Sequence, residues 1–264
     1  MHGNEITDEA LEIAGHLAIN LGIPTALGRR EKDREVLARF EGFRFGFRGN
    51  RQAWAVGHGP QVVLVHGYNG MAAQMAPIAR DLEMNGFRAI LFDAGGHGES
   101  ASHRVGFDTF IEDTRSILEE IGPVHALIGH SAGGLAMMRA RELHRVGAER
   151  YGVIAAPLFP YVPLDAMRER GAPDEALRLV KAVLGHQFQS TWSALVAGLS
   201  FAAEAGKPML AVYDRDDERV DHRDGDAISR LWPEARVVKT SGYGHNRVLA
   251  APETLAAVRE LVAS

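Results

Sequence analysis

The spacing of apolar positions changes twice in the first quarter of the chain. Leu17 and Leu21 lie four apart, Thr7 can cap the segment, Asp8 and Glu9 fall in its first turn and Gly22 stops it, which together predict a helix from Thr7 to Leu21. A second, more charged helical piece is predicted from about Glu31 to Phe40. From Phe43 the period drops to two. Phe43, Phe45 and Phe47 alternate with Arg44, Gly46 and Arg48, and Arg51 to Val56 follows after Gly49-Asn50, the signal of an antiparallel hairpin at a sheet edge. Gln61-Val62-Val63-Leu64-Val65 is then almost wholly apolar, as a parallel strand covered on both faces has to be.

From there short apolar runs and helix-spaced runs alternate. Helices are predicted from about Ala73 to Asn85, from Phe107 to Ile121 before Gly122-Pro123, and from Gly134 to His144; strands are predicted over Phe87 to Phe92, His125 to Ile128 and Arg150 to Ala155. The alternation breaks at 157–205, where Pro160 and Pro163 interrupt any regular element. Helices are expected there from Pro173 to Leu184, with Leu177, Val180 and Leu184 on one face, and from Thr191 to Glu204, with Trp192, Leu195 and Leu199 on one face. It resumes with a strand at Pro208 to Tyr213, a helix near His222 to Leu231, a strand at Arg236 to Lys239 and a helix at Pro252 to Val262. The pattern predicts a single α/β domain over residues 1–264, a mostly parallel central sheet flanked by helices with right-handed crossovers. Residues 1–40 are expected to be a helical extension packed on the domain, with a dimer arm or flap as the rival reading. Residues 157–205 are expected to be a short helical cap over the carboxyl edge of the sheet, with a lengthened crossover as the rival.

Composition narrows the class. With 46% hydrophobic and 24% charged residues and a net charge of -5, the chain can bury a sizeable core, and it offers no electrostatic footprint for nucleic acid or an anionic membrane. The absence of cysteine excludes disulfides, a thiol nucleophile and thiolate-bound zinc. Met1-His2-Gly3-Asn4-Glu5 lacks the basic and apolar regions of a signal peptide, and no apolar run is long enough to span a bilayer, so a soluble cytoplasmic protein is expected. No metal is expected, for there is no H-E-x-x-H and the histidines show no ligand spacing. Nor is a nucleotide cofactor, because Gly95-Gly96-His97-Gly98 is not a G-x-G-x-x-G opening a helix.

The chemistry gathers at predicted strand ends. Gly129-His130-Ser131-Ala132-Gly133 places a serine between a buried strand and a helix, with flanking glycines that remove the Cβ atoms such an abrupt turn would drive together. A serine hydroxyl needs a histidine to take its proton and a carboxylate to orient that histidine. His245 lies in the small-residue loop Ser241-Gly242-Tyr243-Gly244-His245 after the last strand, and Asp214, Asp216 and Asp217 offer an acid after the strand before it. For the oxyanion formed on attack, the backbone N–H groups of Tyr68, after His66-Gly67, and of Ala132, at the helix start, are suitably placed. Tyr68, Phe159 and Tyr161 are candidates to line an apolar pocket. His66, His97 and His130 sit beside turns and read as structural, and Asp93 as a holder of loop backbone.

From about Phe43 onward the chain resembles the α/β-hydrolase superfamily, in particular its small bacterial-type serine esterases and lipases. His66-Gly67-Tyr68 resembles the oxyanion loop, Asp93 to Ser100 the glycine-rich loop, Gly129 to Gly133 the nucleophile elbow, and Asp214 to Val220 and Gly244-His245 the acid and histidine segments. The resemblance implies Ser131 as nucleophile, His245 as base and Asp217 as acid; it says little about substrate, and a small or medium carboxylic ester is the expectation. The HGGG form of the oxyanion loop is replaced by Tyr68-Asn69-Gly70, and Asp214 stands where the acid segment usually carries glycine. A thioesterase, lactonase, amidase or acyltransferase would use the same residues, whereas dehalogenase and epoxide hydrolase chemistry would require an aspartate in place of Ser131. A non-catalytic ligand-binding protein is the alternative from a different class, and a homodimer is compatible with the sequence.

Overall fold

The computed structural model describes residues 31–100, 102, 106–162 and 164–264; the expected helix at Thr7 to Leu21 and most of the 1–40 extension lie outside them. The second expected helix runs over Glu31–Leu37. Eight strands form one sheet: β1 (Glu41–Phe45), β2 (Arg51–Val56), β3 (Gln61–Val65), β4 (Arg88–Asp93), β5 (Val124–His130), β6 (Ala148–Ile154), β7 (Met209–Asp214) and β8 (Ala235–Thr240). Their order is β1-β2-β4-β3-β5-β6-β7-β8. The β1–β2 and β2–β4 pairs are antiparallel, and every other pair is parallel. This is the fold that the alternation predicts.

The continuous apolar runs are explained by burial on both faces. In β3, Val63 and Val65 join one hydrophobic cluster and Val62 and Leu64 the other; in β5, Leu127 goes to the first and Ala126 and Ile128 to the second. Helices Phe107–Ile121 and Ser131–His144 pack on the first face, and Ala76–Met84 and Pro252–Ala263 on the second. Because the parallel strands all point one way, the loops after β3, β4, β5, β7 and β8 meet at one edge.

Between β6 and β7 lie helices Leu164–Glu169, Asp174–Gln187 and Trp192–Val196. The first is not foreseen from the sequence. The long helix expected over Thr191 to Glu204 is broken: Thr191 caps it by accepting a bond from the Ala194 N–H, but Gly198 adopts a left-handed conformation (φ 82°) and only a 3-10 turn, Leu199–Phe201, follows. Among the described residues no helix is long and apolar enough to cross a membrane.

Candidate functional site

Ser131 is the first residue of its helix and holds a left-handed backbone conformation, φ 53°, between β5 and the helix. For a serine this is a strained state that its surroundings must enforce. Two glycines permit it. A Cβ on Gly133 would stand 2.0 Å from the His66 carbonyl oxygen, and one on Gly129 would stand 2.6 Å from Gly134 Cα, so the turn closes only without side chains there.

His245 joins this serine to an acid. Its Nε2 lies 3.0 Å from Ser131 Oγ and its Nδ1 2.7 Å from Asp217 Oδ2. A carboxylate can only accept, so the proton of a neutral His245 sits on Nδ1, and Nε2 faces the serine hydroxyl as an acceptor. The His245 and Asp217 side chains are only 9% and 1% exposed, which shields the pair from water. Burial pushes the Asp217 carboxyl up, but the bond from His245 and those from the Arg219 and Val220 N–H groups outweigh it and hold Asp217 below its ordinary value.

The three candidate aspartates are thereby told apart. Asp214 is fully buried and accepts bonds from Thr240 Oγ1 and from the N–H groups of Asp216, Tyr243 and Gly244; these overcome the opposing effect of burial and keep it ionised. Asp216 accepts from the Gly242 N–H at 2.6 Å. Two acids therefore hold the backbone of the histidine loop, while Asp217 holds the imidazole itself.

On the other side of Ser131, the loops after β3 and β4 are stitched together by imidazoles. His66 donates from Nδ1 to the Gly67 carbonyl and accepts the Ala94 N–H at Nε2; His97 donates from Nδ1 to the Gly95 carbonyl and accepts the Asn69 N–H at Nε2. Burial lowers His66 to about 4, and burial together with the nearby His66 lowers His97 to about 3, so both rings are neutral near pH 7. Asp93 does hold loop backbone, accepting the Ala72 and Glu99 N–H groups. His130 is the crosspiece. Its Nε2 donates to the His245 carbonyl at 2.8 Å, burial and then the neighbouring His245 lower it to about 3, and its Nδ1 has no hydrogen-bond partner among the described residues.

Ser131 and His245 open onto a cavity of about 370 Å³, near the lower end of small-molecule sites at roughly 300–1,000 Å³. Tyr68 and Ala132 border it beside the serine. Ala132 stands in the first turn of its helix, where backbone N–H groups lack helical partners, so the wall next to Ser131 Oγ can offer donors to a negative oxygen. Val180, Val183, Leu184 and Gln187 form the wall contributed by the segment between β6 and β7. Of the aromatic candidates Tyr68 and Tyr161 line the cavity. Phe159 does not; it packs edge-on against Tyr161 and Trp192. Phe107, Gln187 and Arg219 also line the cavity without having been singled out from the sequence; the position of Arg219, two residues after Asp217, is the one signal that points to it. Among the described residues no group of acids and histidines is arranged to hold a metal ion.

Residues 58–240 match the family model described as serine aminopeptidase, S33. Over 155 residues the chain is 29% identical to a non-heme chloroperoxidase, CPO-A1, of Kitasatospora aureofaciens, a match covering 57% of this chain and 56% of that protein; the chain thus spans little more than half of that relative. Among solved structures, a monoacylglycerol lipase of Paleococcus ferrophilus superposes with a TM-score of 0.63 at 20% identity, covering 81% of this chain and 98% of that one. A thermophilic esterase of Thermogutta terrifontis, solved with malate bound, gives 0.60 at 20% identity, covering 85% and 98%. At such identities the structural likeness speaks for the fold.

Proposed function

Because the chain belongs to the α/β-hydrolase family described as serine aminopeptidase, S33, we propose that it is a serine hydrolase that cleaves small to medium carboxylic esters through an acyl-enzyme on Ser131. The observation that carries this reading is the continuous bond chain Ser131 Oγ–His245–Asp217 at the wall of the cavity.

Ser131 Oγ attacks the ester carbonyl carbon while His245 Nε2 takes the hydroxyl proton, and Asp217 stabilises the imidazolium so formed. The carbonyl oxygen becomes an oxyanion, bound by the Tyr68 and Ala132 N–H groups; such a donor typically lowers the barrier by about 2.7–4 kcal/mol. Collapse of the tetrahedral intermediate expels the alcohol, which receives the proton from His245. Water then attacks the acyl-serine and gives a proton to His245; collapse of this second tetrahedral intermediate breaks the bond to Ser131 Oγ, which takes the proton back from His245 as the acid leaves.

An ester suits the lining better than the N-terminus of a peptide. An aminopeptidase has to hold a substrate ammonium group, and among the described lining residues there is no carboxylate, whereas Arg219 is a fixed cation. The proposal is tested by turnover of short p-nitrophenyl esters. Wild type should release p-nitrophenol with burst kinetics and Ser131→Ala should not; equal turnover by the two proteins would overturn it.

A further inference from the structure

The wall of the cavity is apolar at Phe107, Val162, Val180, Leu184 and Val220, and among the described lining residues one side chain, Arg219, is permanently charged. Its guanidinium has no hydrogen bond or ion pair among the described residues. The acids near it in sequence are occupied elsewhere: Asp217 by His245, Asp216 by the Gly242 N–H, Asp214 by the histidine loop, and Asp221 by Arg223. Arg219 is an exposed residue that spans the cavity mouth and two outer grooves; Glu218, the remaining acid of the turn, shares those grooves with it but makes no ion pair with it and does not line the cavity. The other polar wall groups do not supply a counter-charge. The Tyr161 hydroxyl is committed as a donor to Asp224, and Gln187 spends its carbonyl oxygen on the Phe107 N–H, leaving its amide nitrogen as a further donor.

A largely apolar cavity with one cation at its mouth, unpaired among the described residues, and no carboxylate in its described lining is complementary to a substrate that is apolar near the scissile bond and anionic farther from it. We propose that the preferred substrates are esters carrying a second, ionised carboxylate, such as monoesters of dicarboxylic acids, with Arg219 as the specificity-determining residue. A planar guanidinium can bind a carboxylate through two parallel hydrogen bonds, which fixes orientation as well as charge. This inference rests on the esterase reading.

The matched probes are mono-p-nitrophenyl glutarate and p-nitrophenyl valerate, of equal acyl length and differing in charge at the far end. Wild type should favour the glutarate in kcat/KM. Arg219→Gln should cut the glutarate-to-valerate ratio about three- to tenfold, chiefly through KM, and Arg219→Glu should cut it further. Raising sodium chloride should compress the wild-type ratio, since the pair is partly exposed. Arg215→Gln removes an equal charge from the same turn at a residue outside the cavity lining, and should leave the ratio where it is. A ratio unaffected by Arg219→Gln, or lowered as much by Arg215→Gln, would overturn the proposal while leaving the esterase reading intact. Turnover of neither ester by wild type would reject the esterase reading, and this inference with it.

Discussion

The two loop systems that flank Ser131 are joined by different chemistry. On the side of β3 and β4, His66 and His97 join the Tyr68 loop to the glycine-rich loop through neutral rings, each with one nitrogen donating and the other accepting. On the side of β7 and β8, Asp214, Asp216 and Asp217 hold the histidine loop through ionised carboxylates. The difference matches the charges that the proposed reaction develops. A negative oxygen forms beside Tyr68 and Ala132, where carboxylate stitching would oppose it, and a positive imidazolium forms at His245, where carboxylates favour it. Carboxylates on that side are engaged elsewhere: Asp93 accepts the Ala72 and Glu99 N–H groups, and Asp113 accepts the Gly95 N–H while its charge is paired with Arg51.

The sharpest way to break this comparison is within the carboxylate side. Asp217→Asn should lower kcat by about 10³–10⁴-fold, because it removes the charge facing the imidazolium. Asp216→Asn, at a side chain that among the described residues accepts only the Gly242 N–H, should cost less than about tenfold. Asp214→Asn should instead destabilise the fold by about 1–3 kcal/mol, because a buried acceptor of four bonds is replaced by an amide that presents donors to donors. Steady-state kinetics alongside denaturant unfolding separates the three.

Acid titration of stability sharpens the contrast between the sides. His66, His97 and His130 sit at about 4, 3 and 3 when folded, against 6.5 when unfolded, so below pH 6.5 the unfolded chain binds protons that the folded chain refuses. Stability therefore falls as pH drops from 6.5 toward 4, at up to about 1.4 kcal/mol per pH unit for each histidine. Asp214 and Asp217 are lowered, and their contribution is lost only below about pH 4, as pH falls through their folded values. Unfolding free energies measured from pH 7 to pH 4 should show the upper window, and His97→Gln should reduce its slope by one proton. A flat profile there would remove the account of the neutral side.

The smallest effect concerns the crosspiece. His130→Ala deletes the bond to the His245 carbonyl and should lower kcat about fivefold with KM little changed, while His130→Gln, which keeps a donor, should recover part of the loss. Equal losses in both variants would mean that packing against the His245 ring, 4.8 Å away, is what His130 supplies.

Much of the scaffold was legible because two-sided burial writes itself into a strand: Gln61–Val65 appears with the expected bounds, and the hairpin before it forms the expected antiparallel edge pair, although Phe47, the last position of its alternation, leaves the strand for a 3-10 turn and is exposed. The meeting of Ser131, His245 and an aspartate was readable from chain order and strand ends. Which aspartate takes the imidazole was indicated only by the family resemblance, which implied Asp217; the residues alone left Asp214, Asp216 and Asp217 crowded in one turn, and the bonds from Thr240, Gly242, Gly244 and His245 separate them. The cavity wall was the least readable. An amphipathic helix such as Asp174–Gln187 shows the same apolar stripe whether it faces a core or a cavity, and Phe159 carried the same aromatic signal as Tyr161 but packs outside the lining. The helix expected at Thr191 was cut short by one left-handed glycine, Gly198, whose conformation composition alone did not announce.

The most direct test of the charge-divided serine site is covalent. Wild type and Asp217→Asn, treated with a fluorophosphonate near pH 7 and followed by intact mass and peptide mapping, should both form a single adduct on the peptide containing Ser131. The variant should react orders of magnitude more slowly, and Ser131→Ala should form none. An adduct elsewhere, or equal rates in wild type and Asp217→Asn, would contradict the account.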